Sequence, residues 1–296
     1  MTRERGPAAP PAQVGAAALW MAGAVASFSA MAVAGREIGA ALDTFEIMLY
    51  RSLVGVALVW GFAAVTGRTV AWRTRRPGLH VLRNLAHFTG QNLWFAAVTL
   101  IPLAQLFAIE FTSPLWVALL APFLLGEALG VRRAAAVAAG FGGILLVAEP
   151  WAEGGLAPGT ILAAVAATAF AGTAIATKVL TRTESLLTIL IWLTGAQAAM
   201  GAICAGWDGE VAWPTGAAGA WVLLVGVTGL AAHLSLTRAL SLAPASAVMP
   251  VDFARLPVIA VVGALLYGET FGWTLALGAT VILLANWVNL REAARG

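Results

Sequence analysis

Long apolar stretches alternate with short polar breaks along the chain. Crossing the roughly 30 Å hydrocarbon core of a bilayer takes about 20 apolar residues at about 1.5 Å each. Windows of that size predict ten transmembrane helices, separated by breaks that contain Arg, Glu, Asp or Pro. The pattern therefore predicts an all-α polytopic membrane protein. The ten predicted spans are roughly 14–35, 44–66, 78–100, 102–125, 133–149, 156–178, 185–206, 216–240, 243–267 and 271–290.

Two of these stretches carry nearly the same sequence, 142 residues apart. Leu100–Glu127 reads LIPLAQLFAIEFTSPLWVALLAPFLLGE, and Leu242–Glu269 reads LAPASAVMPVDFARLPVIAVVGALLYGE. In this register Glu110 falls opposite Asp252, so each repeat places a carboxylate near the middle of an apolar span. An acid in hydrocarbon is costly and is by default a functional hypothesis. Its duplication in an internal repeat is typical of a transporter core.

The positions of Lys and Arg predict which ends of the spans face the cytoplasm. Basic residues are enriched in cytoplasmic loops, and a cytoplasmic N-terminus leaves only Arg36 in an outside loop. Because each repeat has an odd number of spans, the second half is predicted to be inverted relative to the first. The inside positions are Arg3, Arg5, Arg68, Arg73, Arg75, Arg76, Arg132, Arg133, Lys178, Arg182, Arg238, Arg291 and Arg295.

Composition agrees with a membrane protein and excludes several other classes. Only 10% of the 296 residues are charged, against about 25% in soluble domains, and the mean hydropathy is +0.88. The net charge of +3 comes from the cytoplasmic loops, so no nucleic-acid partner is expected. The sequence has one cysteine, Cys204, and lacks P-loop, HExxH and Gly-x-Ser-x-Gly motifs. We therefore expect neither an enzyme nor a cofactor or metal centre.

Span 2 contains Leu49-Tyr50-Arg51, and spans 4 and 9 both end in Gly-Glu. Together with ten spans in two inverted five-span repeats, these motifs resemble the EamA branch of the drug/metabolite transporter superfamily, over about residues 14–290. The resemblance implies a secondary transporter of the inner (plasma) membrane, with spans 1–4 and 6–9 around a central cavity. Family members mostly move amino acids and other small metabolites, often outward. The match is incomplete in span 7, which has no arginine corresponding to Arg51.

The resemblance also implies a domain organisation and a first functional hypothesis. We expect cytoplasmic tails at 1–13 and 291–296, a first EamA repeat at 14–149 and a second at 156–290. The hypothesis is export of an amino acid or related zwitterion by alternating access, with a small-molecule substrate, possible proton coupling, and a monomer or homodimer surrounded by membrane lipid. A lipid-translocation or scaffold subunit and a passive channel are the alternatives.

Four charged residues are the leading candidates for the site. Glu110 and Asp252 are expected either to bind a substrate amine or exchange protons, or to form a fixed ion pair between helices. Arg255 follows Asp252 by three residues, which places both on one helical face. The two residues either recognise a zwitterion together or neutralise each other. For Arg51, pairing with Glu46 or Glu110 is the favoured interpretation.

Polar residues follow a helical spacing in span 3. Arg83, His87 and Gln91 recur every four residues and form one stripe that is not expected to face lipid, and Asn92 is next to it in sequence. The repeat relates Gln91 to His233 of span 8. Each half then offers a histidine on a similar face, either for proton coupling or for hydrogen bonds to neighbouring helices.

Tryptophans, prolines and helix-end acids complete the candidates. Trp20 and Trp94 are expected within the membrane, as walls of a cavity or as packing in the bundle. Prolines are expected to kink the charged spans, and the acids of the two Gly-Glu pairs are expected to be helix-end residues or gates. The prolines are Pro114, Pro250 and Pro257, and the acids are Glu127 and Glu269.

Overall fold

The computed structural model describes residues 11–67, 72–126, 129–152, 155–242 and 251–293. Helix is the only regular secondary structure in these residues, as the apolar pattern predicts. The helices of eight residues or more in this part of the chain are α1 (Pro11–Ile38), α2 (Thr44–Val65), α3 (Pro77–Leu100), α4 (Leu103–Glu110), α5 (Ser113–Leu124), α6 (Val131–Ala148), α7 (Pro158–Leu180), α8 (Leu186–Ala205), α9 (Ala217–Leu242), α10 (Arg255–Tyr267) and α11 (Trp273–Ala293).

The protein is a multi-pass membrane protein. Within the described residues, eight stretches are long and apolar enough to cross a bilayer, and they correspond to spans 1, 2, 4, 5, 6, 7, 8 and 10. Span 3 forms the 24-residue helix α3, whose polar stripe lowers its hydropathy. Span 9 contributes the 13-residue helix α10, and positions 243–250 lie outside the described residues. The count of ten spans therefore stays a prediction.

Spans 4 and 9 are both interrupted, at the same position of the repeat. In span 4, α4 ends at Glu110 and α5 begins at Ser113. In span 9, a helical segment ends at Asp252 and α10 begins at Arg255. Each carboxylate thus lies at the end of a helical segment, immediately before a two-residue turn.

Proline accounts for these interruptions. Pro114 has no N–H to donate to the carbonyl of Glu110, four residues earlier, so the hydrogen-bond ladder of α4 cannot continue into α5. Pro257 has the same relation to the carbonyl of Phe253. Both prolines lie in the first turn of the new helix, where a missing N–H costs little. Pro250 lies outside the described residues.

The two halves pack against each other through matched pairs of helices. The four most extensive contacts join α1 to α9, α3 to α7, α2 to α8, and α6 to α11. The repeat register equates α1 with α7, α2 with α8, α3 with α9, and α6 with α11. Exchanging the halves therefore reproduces the same four contacts, as expected for a pseudo-two-fold axis between them. The breaks of spans 4 and 9 also meet, through α4 and α10.

Glycine permits the closest of these approaches, between α6 and α11. A methyl group added to Gly143 would come within 2.9 Å of the carbonyl oxygen of Gly278, and one added to Gly278 would come within 2.7 Å of that of Gly143. Small residues let membrane helices approach backbone to backbone in this way. The α6–α11 pair also contacts the break of span 4, because Asn286 and Asn289 of α11 donate to the carbonyl oxygens of Phe111 and Pro114.

Candidate functional site

Three charged side chains from the two helix breaks form one cluster between the repeats. Arg255 donates from Nη1 to Oε1 of Glu110 at 3.0 Å and from Nη2 to Oδ2 of Asp252 at 3.3 Å. Trp94 of α3 donates its indole N–H to the other oxygen of Glu110 at 2.8 Å. Both acids thus share one guanidinium, and Arg255 pairs with Asp252 on its own helical face. A zwitterionic ligand could bind to both residues only after it had separated Arg255 from Asp252.

Aromatic rings enclose the guanidinium of Arg255. Its central carbon lies 4.6 Å from the ring centroid of Phe28, 4.7 Å from that of Phe111 and 5.2 Å from that of Phe107. These rings come from α1, from the turn of span 4 and from α4. Phe111 also contacts Phe253, its counterpart in the repeat, at 5.8 Å between ring centroids. The pseudo-symmetric centre of the protein is therefore both charged and aromatic.

The polar stripe of α3 faces the same interface. The rings of His87 and His233 are 5.8 Å apart, and His233 contacts Phe28 at 5.7 Å. Neither ring nitrogen of His87 has a hydrogen-bond partner in the described part of the protein, and the same holds for Nε2 of His233, Oε1 of Gln91 and Oδ1 of Asn92. Within the described residues, these five atoms therefore make no hydrogen bonds to neighbouring helices. Unpartnered buried polar atoms are costly, which favours a ligand-binding role.

Arg51 does not make the pairing expected for it. The carboxylate of Glu46 closes the capping box of α2 with Asp43 and accepts from the N–H of Ala212 at 2.5 Å, so its oxygens are occupied at the helix start. Glu110 is held by Arg255. Among the described residues, the guanidinium of Arg51 hydrogen-bonds only to the sulfur of Met48, at 3.9 Å, and its Nε has no hydrogen-bond partner. A buried cation without a carboxylate is expensive, so this site favours a ligand with exposed acceptor atoms.

Arg51 borders a cavity of about 30 Å³ between α2, α8 and α9, large enough for water but not for a metabolite. Oε1 of Gln197 and Nε2 of His233, which line it, are also without protein partners in the described residues. Gly229 gives the guanidinium its room, because a methyl group there would lie 2.9 Å from it. In the repeat, Gly229 corresponds to His87 and Leu193 of the cavity wall corresponds to Arg51.

The two candidate tryptophans have different positions. Trp94 is 2% exposed and belongs to the charged cluster. Trp20 is 41% exposed, so the expectation that it lines the cavity is corrected. Its helix is apolar on most sides, and hydropathy alone does not identify the face that packs inward. Arg83 is also buried, and its Nε donates a hydrogen bond to the hydroxyl of Thr177 at 2.8 Å.

An ion pair between Arg36 and Glu269 lies at the end of the helix bundle where α1 and α10 terminate. Arg36 bonds to Glu269 and donates to the carbonyl oxygens of Val98 and Ile101. Glu269 also accepts from the N–H of Leu103. This network joins α1, the α3–α4 junction and the residues after α10. Glu269 therefore links several helices rather than only ending one. Glu127 lies outside the described residues.

A hydrogen-bonded carboxylate joins two loops at the opposite end. Glu184 accepts from the hydroxyl of Thr74 at 2.8 Å and from the N–H of Arg75 at 3.1 Å. The hydrogen bond from Thr74 lowers the pKa of Glu184 below its ordinary value of 4.5, with smaller contributions from Arg75 and His80. Glu184 is therefore ionised at neutral pH and holds the α2–α3 and α7–α8 loops together.

Sequence reasoning missed several members of this site. The rings around Arg255 were not singled out, because phenylalanine in an apolar span is indistinguishable from ordinary packing. The match between Phe111 and Phe253 in the repeat was the available signal. Gln197 and Gly229 carried no signal, since their role depends on which helices meet.

Paired helix breaks, buried charges and a polar interface between two like halves define a membrane transporter. The chain belongs to the EamA-like transporter family, whose model matches residues 15–148 and 157–291. It is a small-metabolite transporter of that family, and its relatives are named as transporters rather than enzymes.

Several named transporters are similar to this chain over most of their length. A riboflavin transporter of Rhizobium johnstonii is 34% identical over 228 residues, covering 76% of this chain and 74% of the relative. A riboflavin transporter of Vibrio cholerae is 29% identical and an S-adenosylmethionine uptake transporter of Rickettsia bellii is 26% identical, each over 90% of both chains. A solved crystal structure that is 22% identical superposes with a TM-score of 0.63 over 95% of this chain and 98% of its own, which supports the fold.

Proposed function

We propose that this protein is a secondary active transporter of the inner membrane that carries riboflavin, or a metabolite of the same chemical class, by alternating access. That class combines a fused heteroaromatic ring with a hydroxylated chain. The observation that carries the proposal is the 34% identity to a riboflavin transporter over 76% of the chain. The interface between the repeats, with its rings and unpartnered polar atoms, fits such a ligand.

The chemistry of the interface supports this substrate class. The flavin ring presents carbonyl and ring-nitrogen acceptors along one edge, and a buried guanidinium such as that of Arg51 is a fixed fork of donors for such an edge. The amide oxygens of Gln197 and Asn92 supply further acceptors for hydroxyl groups, and the ring nitrogens of His87 and His233 supply donors or acceptors. Binding sites for small molecules commonly combine apolar and aromatic walls with a few such polar groups.

In this proposal, the structure represents a conformation in which the substrate site is closed to both sides of the membrane. The cavity beside Arg51 is too small for a flavin, and the ion pair between Arg36 and Glu269 holds one end of the bundle together. The two helix breaks would act as hinges that open the interface to one side and then to the other, as in other transporters built from inverted repeats.

The domain and topology assignments belong to this proposal as well. We infer ten spans, with inverted repeats at 14–149 and 156–290 and cytoplasmic tails at 1–13 and 291–296. The basic residues of the predicted inside loops support this orientation. Uptake is the favoured direction, because relatives from Rickettsia are named uptake transporters.

Export of an amino acid or related zwitterion is the second candidate. Glu110, Asp252 and Arg255 place both signs of charge between the repeats. A zwitterion would have to separate these ion pairs and take over both partners, whereas a neutral flavin leaves them intact. The charge arrangement therefore favours the first candidate over the second.

Counterflow in proteoliposomes tests both candidates in one assay. Vesicles preloaded with unlabelled riboflavin should accumulate labelled riboflavin, and vesicles without protein should not. Saturation and counterflow separate a carrier from a channel, and an imposed pH gradient tests proton coupling. Accumulation of a labelled amino acid, without accumulation of riboflavin, would replace the first candidate by the second.

A further inference from the structure

We propose that the repeats form a cation-binding box, that Arg255 fills it as an internal ligand, and that Arg255 thereby excludes cationic substrates. We call this site the cation box. Its walls are the rings of Phe28, Phe107 and Phe111 and the carboxylates of Glu110 and Asp252. The inference deepens the proposed function, on which its consequence for riboflavin rests.

The cation box contains more carboxylates and aromatic rings than a single ion pair with an arginine requires. One carboxylate completes a pair with an arginine, yet here two carboxylates lie 3.0 and 3.3 Å from the guanidinium. Three ring centroids within 5.2 Å surround the same carbon. Aromatic faces combined with acids are how proteins hold quaternary ammonium and related ligand cations. The walls come from both repeats, so the box is a property of their interface.

Arg255 is separable from these walls. It is the first residue of α10, and the equivalent first residue of α5 in the other repeat is the small Ser113, so the helix start does not itself require an arginine. Phe28, which forms one wall, also contacts His233 of the cavity beside Arg51. Removing the Arg255 side chain should therefore leave a vacant box that opens toward the proposed substrate path.

The occupied box predicts selection by charge among the substrates of the relatives. S-adenosylmethionine carries a sulfonium cation, whereas riboflavin is neutral. With Arg255 in place, a sulfonium would meet a like charge, and each carboxylate would already be bonded to Arg255 through one oxygen. A neutral ring system meets no such penalty. In our proposal, Arg255 is the residue that makes this chain a carrier of neutral rather than cationic metabolites.

Chemical rescue of Arg255→Ser tests the cation box without any transport substrate. Unfolding of the purified protein is followed by the fluorescence of its twelve tryptophans, with methylguanidinium, tetramethylammonium or neutral N-methylurea added. The variant should be stabilised saturably by the two cations and not by the urea, and wild type and Arg255→Lys should not respond. Adding Glu110→Gln and Asp252→Asn should abolish the effect.

Absence of cation-specific stabilisation in Arg255→Ser, or an equal response in wild type, would overturn the proposal. If the serine variant does not fold, Arg255→Gln, which keeps most of the side-chain volume without its charge, takes its place in the same assay. A transport arm then tests the consequence: S-adenosylmethionine should inhibit riboflavin counterflow by the variant at concentrations at least about tenfold below any that affect wild type. If riboflavin is not carried at all, the proposed function fails while the stability assay still decides on the box.

Discussion

The two helix breaks share a backbone plan and differ in charge. Each has an acid at the end of a helical segment, a phenylalanine in the turn and a new helix three residues after the acid. The new helix begins with Ser113 in the first repeat and with Arg255 in the second. In our proposal, the shared backbone allows both breaks to move in the same way, and the unmatched Arg255 determines the charge of the substrate.

A second asymmetry lies beside the first. Arg51 of α2 has Leu193 as its counterpart in α8, and both line the cavity. The two buried arginines differ in their partners, since Arg255 has two carboxylates and Arg51 has none among the described residues. Nε is without a hydrogen-bond partner in both arginines, so the difference between them is the two carboxylates that neutralise the charge of Arg255. We infer that Arg51, whose charge has no such counterpart, is the one that binds a ligand.

The largest expected effect comes from removing both acids of the breaks. Glu110→Gln combined with Asp252→Asn leaves the guanidinium of Arg255 buried without a counterion, and breaking a buried pair costs about 3–5 kcal/mol. Riboflavin counterflow should be abolished and the unfolding temperature should fall. Asp208→Asn with Glu210→Gln, in an exposed loop, is the matched control and should change neither quantity. Near-normal transport by the first variant would remove both acids from the mechanism.

Replacing each arginine by methionine sharpens the contrast between them. Arg255→Met leaves two unpaired carboxylates and should destabilise by several kcal/mol, on the order of 3–5. Arg51→Met removes an uncompensated charge and should leave the unfolding temperature unchanged or raised, while the KM for riboflavin rises at least about tenfold through loss of a charge-assisted hydrogen bond. Equal destabilisation by the two changes, measured by tryptophan fluorescence, would show that the carboxylate partners of Arg255 do not distinguish it from Arg51 in stability.

Moving the arginine from one repeat to the other tests how equivalent the breaks are. In the background of Arg255→Ser, the change Ser113→Arg returns a guanidinium at the symmetry-related position, where the same two acids are within its reach if the scaffold is symmetric. The double variant should recover at least about half of the unfolding temperature lost by the single one. Ser113→Lys offers the charge without the planar fork and should recover less. No recovery by the arginine would show that the two breaks are not interchangeable.

The smallest effect is expected at Gly229, whose missing side chain makes room for Arg51. A methyl group there meets the guanidinium at 2.9 Å, and overpacking of this kind costs about 1–3 kcal/mol. Gly229→Ala should therefore weaken riboflavin binding several-fold. Gly61→Ala, in α2 with nothing within 4 Å, should stabilise by about 0.5–1 kcal/mol, as alanine does in a helix. Identical binding by Gly229→Ala and wild type would remove Arg51 from the binding site.

Hydropathy predicted most of the fold, because bilayer thickness sets the length of apolar helices. The repeat predicted that Glu110 and Asp252 would be related, and helical spacing predicted that Asp252 and Arg255 would share a face. Both predictions depend on local geometry, and the structure brings the three residues together.

The errors and omissions have a different physical origin. The pairing predicted for Arg51 was wrong because Glu46 completes a capping box, which competes for the same oxygens. The inward position predicted for Trp20 was wrong because a helix that is apolar all round does not reveal which face packs inward. The phenylalanines of the cation box were missed because their role arises only where α1 meets the broken spans, and such tertiary contacts leave no periodicity in the sequence.

The most direct test of the central claim is competition between a neutral and a cationic metabolite in wild-type proteoliposomes. Labelled riboflavin is taken up by counterflow in the presence of excess unlabelled riboflavin or of the same concentration of S-adenosylmethionine. Uptake should be abolished by riboflavin and unchanged by S-adenosylmethionine. Equal inhibition by both compounds, or no riboflavin uptake above that of protein-free vesicles, would contradict it.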